Sequence, residues 1–255
     1  MLNIDCENAL PLALIESGKK KGSLLCIDEN KKDGYEDIVL SEGTLFPLMN
    51  LNSTNRGIYY IAGPSGSGKT TYAIKLIKKF LKIYPKSDFF LFSRTDYKND
   101  PAFKNMKIFQ IKIDDNLLEN KIDIEKELSE RSILFFDDCG TIQDNKLKKY
   151  IEGLIMDCME VGRKLKINII LTNHLINPND KSFGRIIMNE LNYLTFFPHS
   201  GSSYQIKYVL KNYFGLSAKE IERILKLPSR WVTIKKNYPI TILYDKGIYT
   251  LSNVN

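Results

Sequence analysis

Short unbroken apolar runs alternate along this chain with stretches in which apolar residues recur every three or four positions. The run at 57–62, with Ile58, Tyr59, Tyr60 and Ile61 in succession, predicts a strand buried on both faces. After a glycine-rich interval, Tyr72, Ala73, Leu76, Ile77, Phe80 and Leu81 fall at helical spacing and predict a helix that stops before Pro85. Further strands are predicted at 88–92, 106–113, 133–137, 167–172 and 194–197. Between 133–137 and 167–172, Leu147, Tyr150, Ile151, Leu154, Ile155, Cys158 and Met159 make one apolar helix face, closed by Gly162. This alternation predicts an α/β fold, a largely parallel sheet flanked by helices.

The flanks read differently. Residues 1–50 mix short apolar runs at 10–15, 23–27 and 37–40 with a charged turn at 28–34, a small β-rich leader, and 50–56 is polar and turn-prone. From 203 the pattern changes to helices at 205–213 and 218–225, the second capped by Ser217, then strands at 231–235 and 240–251. Asp245-Lys246-Gly247 folds the last stretch into a hairpin. The expected organisation is therefore a leader (1–50), a core (51–202) and a C-terminal extension packed on the core (203–255).

Composition adds limits. The 255 residues suit one α/β domain with additions. No apolar run approaches the roughly 20 residues needed to span a bilayer, and no signal-peptide pattern is present. A soluble, intracellular protein without a membrane partner is expected. Cys6, Cys26, Cys139 and Cys158 lack metal-ligand spacing and are expected to be reduced thiols. The net charge of +7 divides into about −3 over residues 1–56 and about +10 over the remainder. A basic core suits a polyanion such as nucleic acid, and a lysine-rich solvated surface explains it equally well.

The glycine-rich interval, Gly63-Pro64-Ser65-Gly66-Ser67-Gly68-Lys69-Thr70, followed by Thr71, is a complete phosphate-binding loop between a strand and a helix. Its glycines let backbone N–H groups and the helix's positive end converge on an anion. Lys69 would bridge the β- and γ-phosphates of ATP, and Thr70 would hold Mg²⁺. The apolar run 133–136 ends in Asp137-Asp138, a Walker B element, with Asp137 as second Mg²⁺ partner and Asp138 polarising the attacking water. The strand 169–172 ends in Asn173-His174, where Asn173 reads as a γ-phosphate sensor and His174 could share the role. Arg163, between helix and strand, is the candidate arginine finger reaching a neighbouring subunit, with Arg185 and Arg94 as rivals. These residues predict a Mg²⁺-dependent ATPase. Two other classes stay open: a nucleoside or nucleotide kinase, although no arginine-rich lid is evident, and a P-loop switch module.

The phosphate loop, Phe135-Phe136-Asp137-Asp138, Gly162-Arg163 with the strand ending at Asn173, and the terminal strands ending in Tyr249 together resemble the genome-packaging ATPases of large DNA viruses and virophages, the poxvirus-type branch of the FtsK/HerA superfamily. The resemblance covers about residues 45–251. It implies a RecA-like sheet of strand order 5-1-4-3-2 and a pentameric or hexameric homo-oligomeric ring. That ring would pump double-stranded DNA, without sequence preference, into a capsid. It also implies a capsid or portal partner, and a virus-encoded protein of the host cytoplasm or viral factory, possible in the virion. The family usually carries Gln where this chain has Asn173, and often His where it has Lys164. Candidate DNA contacts are Lys146, Lys148 and Lys149, or the loop with Tyr97, Lys98, Phe103, Lys104 and Lys107. For both groups an ordinary solvated surface is the competing reading.

Overall fold

The computed structural model describes residues 1–4, 9–29, 36–51, 56–177 and 182–251. Numbered along the chain, the first strands are β1 (Leu2–Asn3), β2 (Leu10–Ile15), β3 (Leu24–Ile27), β4 (Asp37–Val39) and β5 (Leu45–Pro47). Four of them make an antiparallel sheet in the order β1-β3-β2-β5. β4 leaves that sheet and pairs with a strand at the far end of the chain.

The core strands are β6 (Ile58–Ala62), β7 (Phe89–Ser93), β8 (Phe109–Lys112), β9 (Ile133–Phe136), β10 (Asn168–Asn173) and β11 (Tyr193–Phe196). They pair in parallel in the order β11-β6-β10-β9-β7-β8. Omitting β8, this is the 5-1-4-3-2 order implied by the resemblance, and β8 extends it by one edge strand. The sheet continues past β11 with β12 (Val232–Lys235), β13 (Thr241–Tyr244) and β14 (Gly247–Thr250), each antiparallel to the last, and ends on β4. The C-terminal extension thus prolongs the central sheet as well as packing on it.

Alternation of side chains splits the central strands between two apolar cores. Tyr59, Ile61, Phe135 and Ile170 face helix α1 (Lys69–Ile83) and share their core with Leu12, Leu25 and Phe46 of the leader. Tyr60, Leu134, Phe136, Ile169 and Leu171 face the other side. There they meet α4 (Asn145–Glu160), α5 (Phe183–Glu190), α6 (Ser203–Phe214) and α7 (Ala218–Leu225). With helices on both faces the central strands are buried end to end, which is why they read as continuous apolar runs.

Some expectations fall short. The strand expected at 106–113 shrinks to β8, which is only partly buried because it is paired on one side. After it come two single-turn helices that the sequence pattern did not announce, α2 (Asn116–Glu119) and α3 (Ile124–Glu127). Cys26 is disulfide-bonded, which corrects the expectation of four reduced thiols; Cys139 and Cys158 are free, and Cys6 lies outside the described residues. So do residues 30–34 of the expected charged turn and 52–55 of the polar stretch. Among the described residues no helix is long and apolar enough to cross a membrane.

Candidate active site

β6 delivers the chain to the C-terminal edge of the sheet, where residues 63–68 turn back into α1. Two glycines make that turn possible: Gly66 and Gly68 stand at φ +75° and +102°, a region that side-chain-bearing residues rarely adopt. Gly63 is equally constrained, since a Cβ there would come within 2.7 Å of Ser67 Oγ. α1 has no side-chain N-cap and no acidic residue in its first turn. Its first N–H groups are thereby left for an anion, and the helix dipole favours one.

Lys69 opens α1 and is only 5% exposed. Its Nζ lies 3.4 Å from Pro64 O and 3.6 Å from Asp138 Oδ1, so the ammonium is folded over the loop toward the end of β9. There Asp137 Oδ1 accepts hydrogen bonds from Thr70 Oγ1 at 3.2 Å and from Thr172 Oγ1 at 2.7 Å. Burial pushes the Asp137 carboxyl up from its usual range and the neighbouring Asp138 charge adds to this, against the hydrogen bonds of Thr172 and Thr70 and the charge of Lys69. Asp138 has a left-handed backbone (φ 49°), its N–H donates to Thr172 Oγ1 at 2.9 Å, and its Oδ2 lies 3.4 Å from His174 Nε2.

This donor set fits Mg²⁺ and a nucleotide. A buried carboxylate bonded to a threonine hydroxyl, with a second acid beside it, is an oxygen-rich site short of positive charge. Ser67 Oγ and Asp138 Oδ1 are buried without hydrogen-bond partners, as expected of groups aimed at a ligand.

The structure thus brings together the loop with Thr71 beside it, Lys69, Thr70, Asp137 and Asp138. Asn173 is at the same edge: its carbonyl accepts from Gly63 N at 3.0 Å, while its side chain accepts from Leu175 N at 3.3 Å and lies against Gly140. The side chain bonded to the Asp137 carboxylate and to the Asp138 backbone N–H is that of Thr172, one residue earlier, which sequence reasoning passed over. Arg163 lies elsewhere. It follows α4 in a short turn before β10, at the opposite end of the sheet, where it lines a polar cavity of about 410 Å³ with Arg56, Glu190 and Asn192. Six-residue β10, about 20 Å long, separates that end from the loop. Arg94 is exposed just beyond β7 on the loop's side of the sheet. A second residue missed from sequence is Arg230, whose Nε and Nη2 donate to Ser67 O at 3.2 and 3.0 Å. Of the candidate DNA contacts, Lys146 and Lys149 are exposed on α4, whereas Phe103 is buried with Tyr97 packed on it at 5.6 Å.

The strand order, the glycine-built loop and the carboxylate pair at the tip of β9 define a P-loop NTPase fold. No family model matches the chain. Protein V3 of Sputnik virophage, itself uncharacterized, is 40% identical over 250 residues, covering 98% of each chain. The chain belongs to the family of that virophage protein. Among solved structures it is similar in fold to the genome packaging NTPase B204 of Sulfolobus turreted icosahedral virus 2 (TM-score 0.52, 12% identity, 75% of this chain and 97% of that one). It is also similar to the pCW3 conjugation coupling protein TcpA (TM-score 0.50, 15% identity, 96% of this chain and 78% of that one).

Proposed function

We propose that this chain is a virus-encoded, Mg²⁺-dependent ATPase that moves double-stranded DNA and, assembled as a ring, packages a genome into a capsid. The observation that carries the reading is the meeting of Lys69, Thr70, Asp137 and Asp138 around a glycine-built loop at one sheet edge. The fold shared with an NTPase described as genome packaging supports its direction.

Residues 63–71 bind the phosphates, the glycines by close backbone approach and Lys69 by its charge. Thr70 and Asp137 would hold Mg²⁺, which supplies charge neutralisation across the terminal phosphates. Asp138 orients the attacking water and takes its proton; Lys69 and His174 beside it fix the carboxylate. Thr172 ties β10 to that centre through Asp137, and Asn173, whose carbonyl accepts from Gly63 N at the start of the loop, would sense the γ-phosphate. Arg163, too far from its own loop, serves the site of a neighbouring subunit. DNA is held through its phosphates by exposed lysines such as Lys146 and Lys149.

The test is phosphate release from MgATP by the wild type and by Lys69→Ala. The wild type is expected to release phosphate into water without a phosphorylated acceptor. Lys69→Ala is expected to lose at least about a hundredfold in turnover, an effect of the size expected for a preorganised charge facing the transition state, with an unchanged circular dichroism spectrum. Equal turnover in the two proteins would refute the assignment.

A further inference from the structure

A depression of about 340 Å³ opens directly beside the phosphate loop, at the lower end of the usual size of small-ligand sites. Three separate parts of the chain wall it: Ser67, Gly68 and Thr71 of the loop and α1, Phe46 of the leader, and Arg230, Trp231 and Asp245 of the C-terminal extension. We propose that this depression binds the nucleoside half of the nucleotide, so that the leader and the extension are parts of the nucleotide site. The proposal rests on the ATP-site reading above.

Position is the first argument. Lys69 and Thr70 face Asp137 and Asp138, and so mark the side of the loop where the terminal phosphates lie. Thr71 is one step further round α1, exposed, and opens onto the depression. A nucleotide leaving the loop on the side away from the carboxylates enters it.

Chemistry is the second. Arg230 is exposed yet pinned, with Nε and Nη2 both donating to Ser67 O. A planar cation held in this way offers a fixed surface for a base to stack on, without the entropy cost of immobilising a free side chain. Asp245 Oδ1 is buried and has no hydrogen-bond partner. A carboxylate oxygen in that state is an acceptor waiting for an N–H or O–H donor, which the base and ribose of a nucleoside supply and which pyrophosphate, having neither group to extend beyond the loop, does not bring there. Asp245 is placed by its backbone: its N–H donates to Ser229 Oγ at 3.2 Å and its carbonyl accepts from Leu45 N at 2.9 Å. The leader strand β5 therefore sets the position of the acid. The apolar floor is the ring cluster Phe46, Tyr72 and Trp231, with centroids 4.8 to 5.6 Å apart.

Trp231 is the sole tryptophan of the chain, so its emission reports on this site. The experiment titrates the full-length protein in Mg²⁺ with ADP and, separately, with inorganic pyrophosphate, reading Trp231 emission and thermal midpoint together. Both ligands are expected to raise the midpoint, since both occupy the phosphate loop. Only ADP is expected to change the emission. Asp245→Ala is expected to weaken ADP about tenfold, the loss of one hydrogen bond to a charged acceptor, and to leave pyrophosphate affinity within about twofold. An equal emission change with pyrophosphate, or undiminished ADP affinity in Asp245→Ala, overturns the pocket and leaves the phosphate-loop reading standing. If neither ligand raises the midpoint, both readings fall together.

Discussion

Thr172 shows how much of this site depends on a single hydroxyl. It donates to Asp137 and accepts from the Asp138 N–H, so one side chain holds both acids. Thr172→Val keeps the shape and removes both bonds; it is expected to lower unfolding free energy by about 1–3 kcal/mol in urea titration, and Thr172→Ser is expected to restore most of it. Asp138 itself sits in left-handed backbone, which Asn also tolerates. Asp138→Asn is therefore expected to fold and bind nucleotide normally while losing about 10²–10⁴ in turnover, the range for a general base; single-turnover hydrolysis beside nucleotide titration separates the two. At this scale legibility follows sequence distance. The phosphate loop is contiguous, so its glycines, lysine and threonine can be read together. Thr172 meets Asp137 only through the pairing of β10 with β9, and Arg230 meets Ser67 across 163 residues of separation, which no local pattern announces.

Strand and helix positions were readable where burial is two-sided. β6, β9 and β10 are apolar throughout because helices cover both faces, and α1 and α4 show clear helical spacing. β8 is an edge strand, and α2 and α3 are four-residue helices too short to show a period. The departure of β4 to the central sheet was also illegible, because its partner, β14, comes some two hundred residues later. The leader is fastened to α1 by Glu16, which lies 2.5 Å from Lys75 Nζ and 2.8 Å from Lys79 Nζ. Burial works against ionisation of this carboxyl, but the two lysines together hold it below its usual value. A depressed carboxylate contributes stability above its unfolded value and loses it as pH falls through the folded one. Glu16→Gln is expected to cost about 1 kcal/mol at neutral pH, with the difference from wild type shrinking as pH falls below the usual glutamate range and through the lowered folded value, as thermal melts across pH would record.

For the whole molecule, the position of Arg163 has the largest consequence. At the far end of the sheet from its own loop, it can meet a γ-phosphate only in a neighbouring copy. Arg163→Ala and Lys69→Ala are each expected to be inactive alone, and a mixture of the two is expected to regain turnover where an intact Lys69 faces an intact Arg163. A mixture as inactive as its parts would remove Arg163 from the site and turn attention to Arg94. The resemblance that suggested a ring was carried by motif order along the chain, which a single sequence displays, whereas subunit contacts involve surface residues with no pattern of their own. The most direct test of a DNA-moving ATPase is steady-state MgATP hydrolysis over a range of protein concentrations, with and without long double-stranded DNA. Specific activity is expected to rise steeply with concentration and to be stimulated by DNA, with the stimulation falling as salt is raised. Turnover independent of concentration and indifferent to DNA would contradict it.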